Sequence, residues 1–378
     1  MTAQTTVERK VPLLDLRALH RPIRDEVLAE MTRVVDANAF IMGSDVKELE
    51  KSIAEYCKVP YAIGCASGSD ALVLALMAAG VKPGDRVATT PFTFFATAGA
   101  IVRVGATPVF VDIQADTYNI DPKKLSETLQ KHGKIKAIIP VHLFGGYADM
   151  DPIMALAREH NCVVIEDSAQ SIGAEYKGQR VLFGEVGCIS FFPSKNLGCF
   201  GDGGMVVAKD EALAKKLAAL RVHGAARKYY HDYVGINSRL DTLQAAILRV
   251  KLKHLDEETA GRVKNADLYR SLLGGAGLPI TLPQLAEYQT RYIYNQFVIR
   301  SQRRDELKTW LNENGIGSEI YYPLSLHQQV CFKDLGYRDG DFPESEKAAA
   351  EVLAVPVHSA LSNDDIEYVC RKVKAFYS

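Results

Sequence analysis

The sequence predicts an α/β fold: a large domain on a mainly parallel sheet, followed by a smaller α+β unit. Three observations carry this. Between about residues 60 and 210, seven β-rich runs alternate with helical stretches, and several runs are apolar throughout rather than at every second position. Strand–helix–strand repetition argues for parallel pairing with right-handed crossovers, and unbroken apolar runs argue for strands covered on both faces. The third observation is size. The 378 residues are 47 % hydrophobic and 24 % charged, an ordinary globular balance at about two and a half typical domain lengths.

The runs are, in order, YAIGCAS, RVATT, TPVFVD, IKAIIPV, CVVIED, CISFF and GGMVVA. Between them SDALVLALMAAG, FFATAGAIVRVG, DPKKLSETLQKHG and DMDPIMALAREHN read as helices. Upstream, Ser44 is placed to cap a helix whose apolar stripe is Val46, Leu49, Ile53 and Tyr56. Downstream, Leu240 to Leu273 has no proline and reads as one long helix or two consecutive ones. From Tyr292 the pattern changes to YIYNQFVIR as strand, RRDELKTWLNENG as helix stopped by Gly315, and a last helix from Asp364. The expected division is residues 1–255 for the large domain with its N-terminal helical segment, and 256–378 for the small one.

Charge and composition exclude several classes. Forty-five basic against forty-six acidic residues leave a net charge of −1 with no long basic run, so nucleic acid is not an expected partner. The apolar stretches are too short to span a bilayer, and residues 1–11 lack a signal-peptide core, so a cytoplasmic protein without a membrane partner is expected. The seven cysteines include no CxxC pair and sit largely in apolar runs, which suits buried thiols. No metal is expected.

Three places could carry chemistry. In ASGSDAL, a strand turns through Ser67, Gly68 and Ser69 into a helix, where free backbone N–H groups suit an anion or merely a capped helix start. No GK[ST] and no GxGxxG accompanies it. Asp167 closes the run CVVIED, a position that suits pairing with a buried cation, a helix cap, or a magnesium ion. Lys195 lies in SFFPSKNLGCFGDGG, where close-packed glycines and an apolar strand favour a held, reactive amine over a solvated one. Together, an anion cradle, a strand-end carboxylate and a lysine 28 residues later match the needs of pyridoxal 5′-phosphate: a Schiff-base lysine, a carboxylate for the ring nitrogen and contacts for phosphate.

On these and further blocks the chain resembles the DegT/DnrJ/EryC1/StrS family of nucleotide-sugar aminotransferases, within the fold-type I pyridoxal-phosphate superfamily. The blocks are ASGSDAL, TPFTFFATA, PVHLFG, VIEDSAQSIGA, SFFPSKNLGCFGDGG, RVHGAARKYYHDYVGINSRLDTLQAAIL and YYPLSLHQQ. They span nearly the whole chain. The resemblance implies Lys195 as the Schiff-base lysine and general acid/base, Asp167 on the ring nitrogen, and Gln170 against the ring or its hydroxyl. It implies Gly68, Ser69 and Ser190 on the phosphate, and Phe94, rather than Phe95, stacked on the ring. Asn237 would be lent to the neighbouring subunit's phosphate, which implies a homodimer with shared sites. Arg239, Tyr321, Tyr322 and His327 would face the sugar, and Arg227, Lys228 and His231 the nucleotide diphosphate.

The implied reaction is ping-pong transfer from L-glutamate to a nucleotide-linked 3-keto sugar. UDP-2-acetamido-3-keto-glucose or its uronic acid is the first expectation, and a dTDP-linked 3-keto-6-deoxyhexose the alternative. The chain departs from the family where HYP is common and Tyr321-Tyr322-Pro323 stands instead; tyrosine cannot supply histidine's positive charge. Related sugar dehydratases carry histidine in place of the lysine, so Lys195 argues against that class. A non-catalytic relative would have no use for the paired Lys195 and Asp167.

Overall fold

The computed structural model describes residues 9–180 and 182–378. Among them, seven strands form the main sheet: β1 (Tyr61–Cys65), β2 (Arg86–Thr89), β3 (Thr107–Phe110), β4 (Ala137–Ile139), β5 (Val163–Asp167), β6 (Val186–Ser190) and β7 (Gly204–Ala208). Their spatial order is β1-β7-β6-β5-β4-β2-β3. The five strands from β6 to β3 pair in parallel, while β7 runs antiparallel to both β1 and β6.

The unbroken apolar runs have a direct structural cause. Along β5, Ile165 faces the core under the Gly68–Ala78 helix while Val164 faces the core under the Pro122–His132 and Met150–His160 helices. In β7, Val206 and Ala208 take the first side while Met205 and Val207 pack with Val46, Leu49 and Leu240 on the other. Both faces of the sheet are therefore closed to water, and its strands open only at their ends. The carboxyl ends of β1, β2, β4, β5 and β6 share one edge, where open α/β sheets place ligands.

Downstream of a small exposed hairpin, β8 (Ala225–Arg227) with β9 (Tyr230–His231), the stretch from Leu240 is two helices, Thr242–Leu252 and Leu255–Leu273. The C-terminal unit is an antiparallel sheet of β10 (Ile280–Thr281), β11 (Phe297–Ser301) and β12 (Val352–Val355), with helices Arg304–Glu313 and Asn363–Tyr377. Val11 belongs to the same core: its N–H donates to the Gly315 carbonyl at 2.8 Å and its carbonyl accepts from Gly317 at 2.9 Å.

Three local expectations change. Gly43, not Ser44, precedes the Ser44–Tyr56 helix as its cap residue, because the Thr242 hydroxyl takes the Gly43 N–H at 3.0 Å and fixes the chain one residue earlier. The last helix starts at Asn363, one residue ahead of Asp364, held by a reciprocal Ser362–Asp365 capping box. The strand read over YIYNQFVIR is confined to Phe297–Ser301. Its first part is tied to the large domain instead, with Ile293 N–H on the Gly145 carbonyl at 3.0 Å and Tyr294 in the left-handed region at φ 46°. Among the described residues no helix is long and apolar enough to cross a membrane. All seven cysteines are free thiols, five of them buried, with Cys57 half-buried and Cys331 exposed.

Candidate active site

An open cavity of about 320 Å³ lies at the carboxyl ends of the strands, between the large domain and the Tyr321–Tyr322 segment. At its base, β1 runs into Ser67, whose hydroxyl accepts from the Asp70 N–H at 3.1 Å and caps the Gly68–Ala78 helix. The N–H groups of the first helical turn then face the cavity with the partial positive charge of a helix start. Gly68, Ser69 and Ser190 line this corner. The packing demands glycine here: a Cβ on Gly68 would stand 2.6 Å from Ser190 Cβ, and one on Gly204 would stand 2.4 Å from the Ser67 carbonyl.

Asp167, at the end of β5, is 5 % exposed. Its Oδ2 accepts from the Thr97 hydroxyl at 2.8 Å and its Oδ1 from the Ala169 N–H at 3.2 Å. Burial raises its pKa; the Thr97 hydroxyl, the Ala169 N–H and the charge of Lys195 pull the other way. Lys195 lines the same cavity on the loop after β6. The protein packed around its amine lowers the pKa to about 8, with the charge of Asp167 opposing the drop. The loop is tied down just after that lysine. Asn196 donates to the Ile293 carbonyl at 3.1 Å and accepts from Asn295 at 2.8 Å, while the buried Lys251 amine donates to the Gly198 carbonyl.

The Gln170 amide is held at both ends: its oxygen accepts from the Phe144 N–H at 2.7 Å and its nitrogen donates to the Tyr322 hydroxyl at 3.1 Å. Phe94 and Phe95 part company. Phe94 lines the cavity, 57 % exposed and 6.1 Å from the Tyr322 ring, whereas Phe95 turns away and stacks on Phe332 at 5.6 Å. Tyr321 and Tyr322 also line it, and burial keeps both hydroxyls protonated by raising their pKa values.

Six expected contacts lie elsewhere in the chain's own fold. His327 was expected on the sugar side, but it is 3 % exposed, bonded to Glu346 Oε1 at 3.1 Å and packed on Phe342 at 4.8 Å. Its ring completes the packing under the Pro343–Glu351 helix and does not reach the cavity wall. Asn237 is exposed and Arg239 half-buried, and neither lines the cavity. Arg227, Lys228 and His231 are exposed on the β8–β9 hairpin, where Arg227 covers Tyr230 at 3.8 Å and Lys228 covers Tyr229 at 5.1 Å. Conversely, Thr93, Ser194, Asp202 and Gln296 line the cavity without having been picked out from the sequence. Of these, only Thr93 carries a readable signal, standing four residues before Thr97 at the start of a helix.

Residues 22–374 match the DegT/DnrJ/EryC1/StrS aminotransferase family. The chain belongs to this family. It is 50 % identical over 372 residues to the "Pleiotropic regulatory protein" of Geobacillus stearothermophilus, covering 97 % of this chain and 98 % of that one. It is 44 % identical to the UDP-N-acetyl-3-dehydro-alpha-D-glucosamine 3-aminotransferase of Acidithiobacillus ferrooxidans, with 98 % of each chain covered. Among solved structures, Streptomyces venezuelae DesV in complex with a ketimine intermediate superposes with a TM-score of 0.94 at 38 % identity, covering 98 % of this chain and 99 % of that one.

The protein is thus a pyridoxal-phosphate-dependent aminotransferase. The cavity fits that cofactor. A glycine cradle that a single Cβ would fill suits the phosphate, a buried strand-end carboxylate suits a protonated ring nitrogen, and a lysine of lowered pKa suits a carbonyl.

Proposed function

We propose that this aminotransferase moves an amino group from L-glutamate to the keto carbon of a nucleotide-linked 3-keto sugar. UDP-2-acetamido-3-keto-glucose or its uronic acid is the first choice, with a dTDP-linked 3-keto-6-deoxyhexose as the alternative. The observation that carries the reading is the convergence of Lys195, Asp167 and the Gly68–Ser190 cradle in one open cavity at the strand ends. The activity named for the Acidithiobacillus relative supports a UDP-linked 3-keto sugar. Lys195 is the one cationic side chain among the described residues lining the cavity, beside the carboxylates Asp167 and Asp202.

Pyridoxal phosphate, when bound, supplies an electron sink for the α-carbon of the amino donor. The rest of the work falls to the chain. Ser69, Ser190 and the N–H groups at the start of the Gly68–Ala78 helix would hold the phosphate, and Phe94 would cover the ring. Asp167 would set a negative charge against the ring nitrogen. The Lys195 Nζ, with a pKa of about 8, has a working fraction of neutral amine near pH 7; it would take the proton from the donor carbon and deliver it to the former aldehyde carbon of the cofactor, and run the transfer backwards with the keto sugar. Gln170, fixed by Phe144 and Tyr322, holds the opposite wall.

The same reading makes the protein a cytoplasmic homodimer. Phosphate, diphosphate and the donor's carboxylates are all anions, yet the cavity holds one cation of its own. Asn237, Arg239 and the hairpin residues Arg227, Lys228 and His231 stand outside it on accessible surface, where a second copy would receive them. The large part then runs through residue 255 and the small part from 256, with the segment at Val11 packed onto the latter.

The regulatory name of the Geobacillus relative favours a second reading, a non-catalytic member that keeps the fold. The lowered pKa of Lys195 beside Asp167 opposes it. The two part in one experiment: absorption of the purified protein before and after L-glutamate. A visible cofactor band that disappears on adding glutamate, and is missing in Lys195→Ala, is the expected outcome. A protein that takes up no cofactor after reconstitution would leave the non-catalytic reading standing. Mass spectrometry of products from the UDP-linked and dTDP-linked keto sugars then decides the substrate.

A further inference from the structure

Thr97 stands in the first turn of the Ala96–Arg103 helix, fully buried, and gives its hydroxyl proton to Asp167 Oδ2 at 2.8 Å. A hydroxyl has one proton to give. Thr97 is therefore the acceptor in its 3.1 Å contact with the buried Thr93 hydroxyl, and Thr93 the donor. The chain Thr93 to Thr97 to Asp167 thus aims a hydroxyl proton at the carboxylate, a bond that is stronger while Asp167 is ionised.

Other groups face Asp167 without bonding to it. Lys195 acts on it through charge, and Cys188 and Tyr322 feel its charge in turn. The His142 Nδ1 accepts from the Ala148 N–H at 3.1 Å, so its Nε2 proton goes to Glu166 at 2.9 Å. The Tyr322 hydroxyl takes the Gln170 amide. Among the described residues, Thr97 is the one side chain that hydrogen-bonds Asp167, and the Ala169 N–H is the other donor.

We propose that Thr97, backed by Thr93, is the positioning residue that keeps Asp167 ionised and aims its carboxylate at the cofactor's ring nitrogen. The inference rests on the reading of Asp167 as that nitrogen's partner. A buried carboxylate without donors takes up a proton, and hydrogen bonds to a charged group are the strong ones. One short segment, residues 93–97, then sets both the face of the ring, through Phe94, and its charge.

The test is equilibrium dialysis of the apo-protein against pyridoxal phosphate as a function of pH, for Thr97→Val, Thr97→Ser, Thr93→Val and Asp167→Ala. Thr97→Val keeps the shape and removes the donor; it should bind the cofactor about tenfold more weakly near neutrality. Its loss of binding on acidification should also begin at higher pH, because Asp167 protonates sooner. Thr97→Ser should restore both, and Thr93→Val should shift them in the same direction by less. Asp167→Ala should bind more weakly still, with the acid limb gone. Wild-type binding by Asp167→Ala would sink the ring-nitrogen reading itself. Impaired Asp167→Ala beside an unaltered Thr97→Val would overturn this inference alone. If circular dichroism finds Thr97→Val unfolded, an unshifted pH profile in Thr93→Val overturns it instead.

Discussion

Lys195 shows what a reactive residue costs the fold that holds it. Its pKa of about 8, against 10.5 for an ordinary lysine, means that the folded protein disfavours the ammonium relative to the unfolded chain. Below pH 8 the group is protonated in both states and the full penalty applies. Between pH 8 and 10.5 the unfolded chain still holds the proton that the folded one has released, so stability rises with pH; above 10.5 the penalty is gone. Replacing this half-buried lysine with methionine should therefore stabilise the apo-protein by about 1–3 kcal/mol at pH 7 and by almost nothing above pH 10.5. Asp167 loses its counter-charge in that variant, which places the gain toward the lower figure. Denaturant unfolding of the two apo-proteins at neutral and alkaline pH checks both sign and window, and a destabilised Lys195→Met at pH 7 would contradict the assigned shift. Lys195 and Asp167 were legible because a charged residue at the end of an apolar run has few structural reasons to be there. Thr97 was not, since a threonine beside a helix start has many.

At the scale of elements, close packing decides what a glycine is for. Gly68 lets the turn after β1 approach β6, and any side chain there meets the Cβ of Ser190 at 2.6 Å and its backbone at 3.1 Å. Gly68→Ala should force the two strand ends apart, lowering stability by about 1–3 kcal/mol and weakening cofactor binding together with it. Gly84→Ala, with a positive φ but nothing within 4 Å of its added Cβ, serves as the control. It should lose stability through backbone strain alone and bind cofactor as wild type, as thermal melts and cofactor titration would record. The contrast also explains which elements could be read. Strands covered on both faces announce themselves as apolar runs, and the alternation with helices survives intact in the fold. The direction of β7 does not announce itself, because an antiparallel strand in the middle of a sheet buries both faces just as its parallel neighbours do. The shortened β11 and the turned-in His327 were hidden for another reason. Each is set by a contact distant in sequence, Gly145 with Ile293 and Glu346 with His327, and no local pattern encodes it.

For the whole molecule, the question is why residues resembling ligand contacts stand outside their own cavity. Asn237 is exposed, its backbone paired with Val222 ahead of the Thr242–Leu252 helix, and the neighbouring hairpin and the loop after it present Tyr229 at 81 % and Val234 at 91 % exposure. Exposed aromatic and apolar side chains of this kind, beside exposed arginine and lysine, suit burial against a second copy. If each subunit lends Asn237 to the other's phosphate, the two halves of a site sit on different chains, and defects in them should complement. Lys195→Ala and Asn237→Asp homodimers should each be nearly inactive. Unfolded, mixed in equal amounts and refolded, half the dimers should be hybrids. Each hybrid holds one site with both defects and one with neither, so about a quarter of the wild-type activity should return, as two-fold symmetry requires. Activity that stays at the level of the separate variants, from a mixture that demonstrably exchanges subunits, would place Asn237 in service of its own chain. It would also remove the main argument for shared sites.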